Sequence, residues 1–313
     1  MSRVFVEKIL VIIIGSYLSY YVAVLLMEKA ELLENPNYNR ELKANIERKL
    51  NIVLNLSYHE ESLLSCLVTK DKMKTGFSEI VGLEKTKRMI KSVLIKPLKN
   101  PVKDNDLLKP PNGIILYGEP GTGKTMLAKA IAKESNCNFL NFNTSLIENK
   151  LVGESSKMLD ALFSLAHKLK PCIVFMDEID GFCSERNSLD QSFVNSLKTQ
   201  MLEYLDGIDE KDSQVIFIGA TNRLHSIDKA FRRRLRLHIN IPLPEKEDIE
   251  QLLLKHVSTL NPTELESISE QCSGFSGSDI YELCKLAAHE AHMMESMDIS
   301  EDCFTEAIKH LKY

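Results

Sequence analysis

The sequence predicts an α/β fold: a mostly parallel sheet with helices on both faces, a small helical lid after it and a transmembrane helix before it. Three observations carry this. Short apolar runs starting near Ile114, Cys137, Cys172, Val215 and His238 alternate with helical patterns, the signature of parallel strands joined by crossover helices. From about Glu245 the pattern is wholly helical, and from Ile9 to Met27 no residue is charged.

The uncharged run is closed by Glu7-Lys8 on one side and Glu28-Lys29 on the other. As a helix it is about 28 Å long, close to the roughly 30 Å hydrocarbon core of a bilayer. It exceeds the h-region of a signal peptide, and no small-x-small cleavage site precedes Glu28. Residues 1–8 are therefore read as a short tail and 9–27 as a membrane span. Arg3 and Lys8 face Lys29, Arg40 and Lys43, so the flanking charges set no orientation.

Residues 28–75 read as a helical linker. Leu42, Ile46, Leu50, Val53 and Leu54 recur at helical spacing, opposite Glu41, Lys43, Glu47, Arg48 and Lys49. Ser57 to Glu60 has the form of a capping box opening a second helix that presents Leu63, Leu64, Leu67 and Val68.

Residues 76–244 carry the alternating pattern. A helix after Gly82 is expected to end near Ile95, stopped by Pro97. Another spans about Glu154 to Leu169. The run Cys172 to Met176 is continuously apolar and ends in Asp177-Glu178, as for a strand buried on both faces whose C-terminal end emerges at a ligand crevice. Val215 to Ala220 repeats the pattern and ends at Thr221-Asn222-Arg223. Residues 245–313 form the lid, with helices at 249–257, 264–272, 279–294 and 301–311.

The chemistry starts at Gly118-Glu119-Pro120-Gly121-Thr122-Gly123-Lys124-Thr125, followed by Met126. The pattern G-x-x-x-x-G-K-T between a strand and a helix N-terminus aims backbone N–H groups and a helix dipole at phosphate. Lys124 then reaches the outer phosphates and the Thr125 hydroxyl holds Mg²⁺. Asp177 joins the Mg²⁺ shell through water, Glu178 polarises the attacking water, and Asn222 emerges at the same edge to position water and γ-phosphate. The short helix after Asp228 ends in Arg232-Arg233-Arg234. Cations far from their own phosphate loop suit an arginine finger that reaches a neighbouring copy's nucleotide, which requires a ring.

The bulk properties narrow the rest. A chain of 313 residues accommodates such a core with a lid, and a net charge of −5 gives no electrostatic footprint for nucleic acid. Seven cysteines without a C-x-x-C pair make neither a disulfide framework nor a zinc site. Cys137, Cys172, Cys183 and Cys284 sit in apolar patterns and read as buried thiols. His289-Glu290-Ala291-His292 misses the metalloprotease spacing by one residue.

Residues 77 to 312 resemble an AAA ATPase domain through residues 118–125, Asp177-Glu178, Ala220-Thr-Asn-Arg223, Asp228-x-Ala-Phe-x-Arg-Arg234, Ile241-Pro-Leu-Pro244 and Gly274-Phe-Ser-Gly-Ser-Asp279. The resemblance implies ATP and Mg²⁺ as cofactors and Arg233 and Arg234 as intersubunit fingers. It further implies Ile80 and Gly82 at the base, and Gly277 and Ser278 in the lid segment beside the adenine. Within that family, the stretch Lys124-Thr-Met-Leu-Ala-Lys-Ala-Ile-Ala-Lys-Glu134, the stretch Phe163-Ser-Leu-Ala-His-Lys-Leu-Lys-Pro-Cys-Ile173 and the leading membrane helix look most like the outer-mitochondrial-membrane AAA dislocases. That implies a homo-hexamer threading mislocalised tail-anchored proteins out of the mitochondrial or peroxisomal membrane, with the ATPase facing the cytosol. The substrate-gripping loop departs from the family's Lys-Trp-Tyr-Gly: here it is Lys150-Leu151-Val152-Gly153, without either aromatic. Glu119 and His238 replace a usual proline and arginine. The competing classes are an AAA remodeller of microtubules or membrane-scission polymers, and a nucleotide-dependent membrane scaffold. The first needs a recognition domain or basic linker, and the second should have lost one of Glu178, Asn222 and Arg233.

Overall fold

The computed structural model describes residues 36–100, 105, 108–144, 154–183, 192–211, 214–293 and 299–311. The expected tail 1–8, the membrane span 9–27 and the loop Lys150 to Gly153 lie outside the described residues. Among those described, no helix is long and apolar enough to cross a membrane. The chain divides into two compact units, Met1–Leu64 and Ser65–Tyr313.

In the first unit, α1 (Pro36–Leu50) opens on a proline, tolerated where backbone N–H groups lack helical partners. It stops at Asn51, whose φ of 53° is left-handed. That turn takes the chain out of helical phase, so the expected apolar stripe breaks: Leu54 is buried while Val53 is 95% exposed. Glu47 holds the reversal by accepting the Leu54 N–H at 2.8 Å. The capping box at Ser57 is formed, with the Ser57 N–H donating to Glu60 Oε2 at 2.6 Å. It caps only a short α2 (Tyr58–Ser62), and the expected helical stretch through Leu67 and Val68 is instead a strand.

That strand, β1 (Leu67–Val68), lies antiparallel to β3 (Asn138–Phe142), with Leu67 opposite Leu140 and Val68 opposite Phe139. Two apolar residues gain more by pairing with an open sheet edge than from one further helical turn. The other strands are β2 (Gly113–Tyr117), β4 (Cys172–Met176), β5 (Val215–Thr221) and β6 (Leu237–Asn240). The sheet order is β1-β3-β4-β5-β2-β6, parallel apart from β1. Register aligns Met176 with Gly219 and Tyr117 with Thr221. The neighbours β4, β5 and β2 thus end at one edge and deliver Asp177, Asn222 and Gly118 to it.

On one face Ile114, Leu116, Phe139, Phe175, Ile216 and Ile218 form a core with Leu127 and Ile131 of α5 (Lys124–Ser135). Residues of the opposite parity, such as Ile115, Val174 and Phe217, are equally buried. There α6 (Glu154–Lys168) meets β4, while α7 (Ile179–Cys183) and α8 (Ser192–Lys211) meet β5. Before β2, α3 (Glu84–Ile90) does not end near Ile95 as expected. It widens into a π turn at Lys91–Ile95 and continues as α4 (Lys96–Lys99). The wide turn absorbs Pro97, which lacks a donor and crowds the preceding carbonyl.

After β6 come α10 (Lys246–His256), α11 (Pro262–Gln271), α12 (Gly277–Met293) and α13 (Glu301–Leu311). They close around their own core, including Leu253, Ile268, Leu283, Phe304 and Ala307. The connection between β5 and β6 carries a further short helix, α9 (Lys229–Arg234).

Candidate functional site

The phosphate loop bends where the sequence places it, between Tyr117 at the end of β2 and Lys124 at the start of α5. Its glycines are structurally required. Gly121 has φ 74° and Gly123 φ 92°, both left-handed. A Cβ on Gly118 would lie 2.1 Å from the Ile241 carbonyl oxygen, and one on Gly121 would lie 2.4 Å from Ser276 Oγ. The loop is thus wedged between the chain leaving β6 and the lid. Ser278 tightens the lid contact: its N–H donates to the Gly121 carbonyl at 3.2 Å and its hydroxyl to the same oxygen at 3.3 Å. Gly277 opens α12, and a Cβ there would meet that carbonyl at 3.6 Å, an ordinary van der Waals contact.

Lys124 is buried, and its ammonium donates to the carbonyls of Gly118 at 3.0 Å and Glu119 at 2.7 Å. Burial pulls its pKa down, while the carboxylates of Asp177, Glu119 and Asp180 act against that pull. Thr125 donates its hydroxyl to Asp177 Oδ2 at 2.6 Å. The other carboxylate oxygen of Asp177 accepts the Glu178 N–H at 3.0 Å. Glu178 itself is exposed and left-handed, with φ 50°. Asn222 is exposed at the end of β5, and Met126 lies on the open side of α5.

The two arginines differ. Asp228 caps α9 by accepting the Ala230 N–H at 2.8 Å, and the short helix ends on its cations. Arg233 is exposed. Arg234 is held within its own chain, donating through Nε and Nη2 to the two oxygens of Asp206 at 2.8 and 2.7 Å. The lid closes on the segment expected at the base: Gly82, with φ 67°, leaves no room for a Cβ beside the Asp248 carboxylate, which would be 2.5 Å away. Lys87 donates to the Ile80 carbonyl at 2.6 Å, and Lys255 of α10 donates to that of Glu79 at 2.6 Å.

These features fit a nucleotide with a divalent cation. The loop is a backbone cradle with no room for a side chain at Gly118 or Gly121 and a left-handed backbone at Gly123, next to a helix N-terminus and a buried cation. The Thr125 and Asp177 oxygens suit Mg²⁺, which takes one or two protein oxygens and completes its shell with water and phosphate. Among the described residues no group of three His, Cys, Asp or Glu side chains is assembled for a metal, so an all-protein cage is not on offer there. Sequence reasoning missed Asp180, Asp206 and Asp248. Each is an ordinary surface-type carboxylate in the sequence and gains its meaning only from a partner 28 to 166 positions away.

Comparison with known proteins agrees with the geometry. Residues 114–244 match the family described as ATPase family associated with various cellular activities (AAA), and residues 263–305 match the AAA+ lid domain. The mitochondrial sorting homolog of Caenorhabditis elegans is 36% identical over 264 residues, covering 81% of this chain and 77% of that protein. The chain belongs to the AAA ATPase family. This AAA chain is also 42% identical over 239 residues to the human outer mitochondrial transmembrane helix translocase, covering 74% of its own length and 66% of that protein's. Among solved structures, the FIGL-1 AAA domain in complex with ADP aligns with a TM-score of 0.69 at 31% identity, over 79% of this AAA chain and 89% of that one.

Proposed function

We propose that this AAA ATPase is a membrane-anchored dislocase that hydrolyses ATP to extract mislocalised tail-anchored proteins from the outer mitochondrial or peroxisomal membrane. The observation that carries the proposal is the pairing of the Thr125–Asp177–Glu178 constellation with 42% identity to an outer mitochondrial transmembrane helix translocase. The uncharged run from Ile9 to Met27 supplies the anchor. In this reading residues 1–8 are a tail, 9–27 the span, 28–75 a linker, 76–244 the large ATPase subdomain and 245–313 the lid. The ATPase faces the cytosol.

The geometry supports the following roles for the nucleotide site, and the sequence alone supports that of Lys150 to Gly153. Glycines 118, 121 and 123, with Glu119, Pro120, Thr122 and Met126, surround the phosphates, and Lys124 exchanges its two loop carbonyls for phosphate oxygens. Ile80 and Gly82 meet the base on one side, Gly277 and Ser278 on the other. Thr125 and Asp177 would hold Mg²⁺, which neutralises charge on the transferring phosphoryl group. Glu178, held at its backbone by Asp177, orients and polarises the attacking water, and Asn222 fixes that water from the adjacent strand. Arg233, exposed at the end of α9, serves a neighbouring subunit in a hexamer in this reading, and Arg234 joins it after release from Asp206. Lys150, Leu151, Val152 and Gly153 contact substrate in the pore, where two aliphatic side chains offer less area than aromatics and no π-face.

The test is the full-length Glu178→Gln protein expressed in cells. It should bind ATP without turnover and trap tail-anchored proteins from the mitochondrial fraction. Wild-type ATPase rates in this variant would refute the role of Glu178, and recovery of tubulin or scission polymers in place of membrane proteins would refute the dislocase. Replacing both Leu151 and Val152 by Asp should leave basal hydrolysis measurable and abolish extraction.

A further inference from the structure

The turn that follows β4 and the asparagine that follows β5 are joined by a connection that the two motifs do not reveal. Gly219 has no side chain, and a Cβ there would come within 2.5 Å of Ile179 Cδ1. Ile179 therefore seats directly on β5, and α7 begins flush against the sheet. One residue on, Asp180 Oδ1 accepts the Thr221 hydroxyl at 2.7 Å. The same Thr221 oxygen accepts the Arg223 N–H at 2.8 Å. Thr221 is 1% exposed, so both bonds form away from competing water.

We propose that Thr221 and Asp180 are positioning residues for Asn222, joining it to the Glu178 turn. The two bonds of the Thr221 oxygen straddle Asn222 in sequence, one reaching across to α7 and the other closing the backbone just beyond it. A threonine that only ended a strand would need the second bond and not the first. The first ties the backbone of Asn222 to the helix that starts one residue after Glu178, so that the two groups proposed to grip the water share one frame. Orientation of this kind decides the rate more than ground-state affinity does, because small misplacement of a water-holding group is felt mainly in the transition state. The inference rests on the reading of Asn222 under Proposed function.

The test uses the full-length protein and steady-state ATP hydrolysis with a separate measurement of ATP affinity. Thr221→Val preserves shape and β-branching while removing the hydroxyl. It should lower kcat about tenfold, with KM and ATP affinity changed less than about twofold. Thr221→Ser, which keeps the hydroxyl, should restore most of kcat, and Asp180→Ala should reproduce the loss from the other end if the valine variant fails to fold. Asn222→Ala should lower kcat by at least as much, and adding Thr221→Val to it should cost less than about twofold more. Full kcat in both Thr221→Val and Asp180→Ala, or a loss equally large with and without Asn222, overturns the inference. Unchanged kcat in Asn222→Ala alone would overturn the reading of Asn222 itself, and the inference with it.

Discussion

Replacing Gly118 by alanine tests the claim that the phosphate loop is wedged against the chain leaving β6. The new Cβ would sit 2.1 Å from the Ile241 carbonyl oxygen, whereas carbon and oxygen normally approach no closer than about 3.3 Å. Relief requires a shift of roughly 1 Å in a backbone whose Ile241 N–H donates to Tyr117 at 2.8 Å. Backbone strain, overpacking and the weakened hydrogen bond together cost about 3–5 kcal/mol. Gly123→Ala is the internal control: nothing lies within 4 Å of its Cβ, and only its φ of 92° is unfavourable, at about 1–2 kcal/mol. The unit Ser65–Tyr313 is large enough that each kcal/mol moves Tm by about 2–4 °C, so the two variants, about 1–4 kcal/mol apart, should melt roughly 2–16 °C apart, Gly118→Ala lower. With no tryptophan in the chain, far-UV circular dichroism is the probe. Coincident melting of the two variants would show that the Ile241 contact does not constrain the loop.

Three further outcomes are expected. Thr125→Val removes the donor to Asp177 and should weaken ATP binding about tenfold in Mg²⁺ and much less in its absence; equal losses in both conditions would refute a metal-side role. Tyr204, whose hydroxyl donates to Asp160 and whose ring stacks on Phe163 at 4.5 Å, has its pKa pushed up to about 12 by burial and by that carboxylate. Its contribution to stability should be complete below the ordinary tyrosine value near 10 and fade as pH rises through 12, so the stability gap between wild type and Tyr204→Phe should hold from about pH 8 to 10 and narrow from about pH 10 to 11.5. Finally, Cys137, Cys172, Cys183, Cys272, Cys284 and Cys303 are buried, with the Cys284 thiol pushed up to about 12 by burial. Native alkylation followed by mass spectrometry should spare all six, and modification of Cys172 or Cys183 in folded protein would contradict the packing.

The parts of this structure that were legible in the sequence are those where one periodic signal outweighs its rivals. The strand from Cys172 to Met176 is buried throughout its length, so its continuous apolar run had one reading, and the lid helices were read to within three residues because their faces are amphipathic. Leu67 and Val68 misled because two apolar residues fit a helical stripe as well as a strand, and only the open edge of β3 decides between them. Pro97 reads as a stop because local rules omit the π turn that accommodates it. At the site, the phosphate loop and Asp177 were visible as contiguous motifs. The bond from Thr221 to Asp180, the tether of Arg234 to Asp206 and the contact of Asp248 with Gly82 were not, since each joins residues that the chain brings together only after folding.

Glu178 has a consequence for attempts to make this protein more robust. A φ of 50° suits glycine or asparagine, and a glutamate held there stores about 1–2 kcal/mol of conformational cost. Selection for heat resistance alone would therefore favour glycine at this position, and the most stable variants from such a screen should include ones that have discarded the carboxylate proposed to drive turnover. Thermostability and work are opposed at this residue, so engineering for shelf life has to assay hydrolysis at every round.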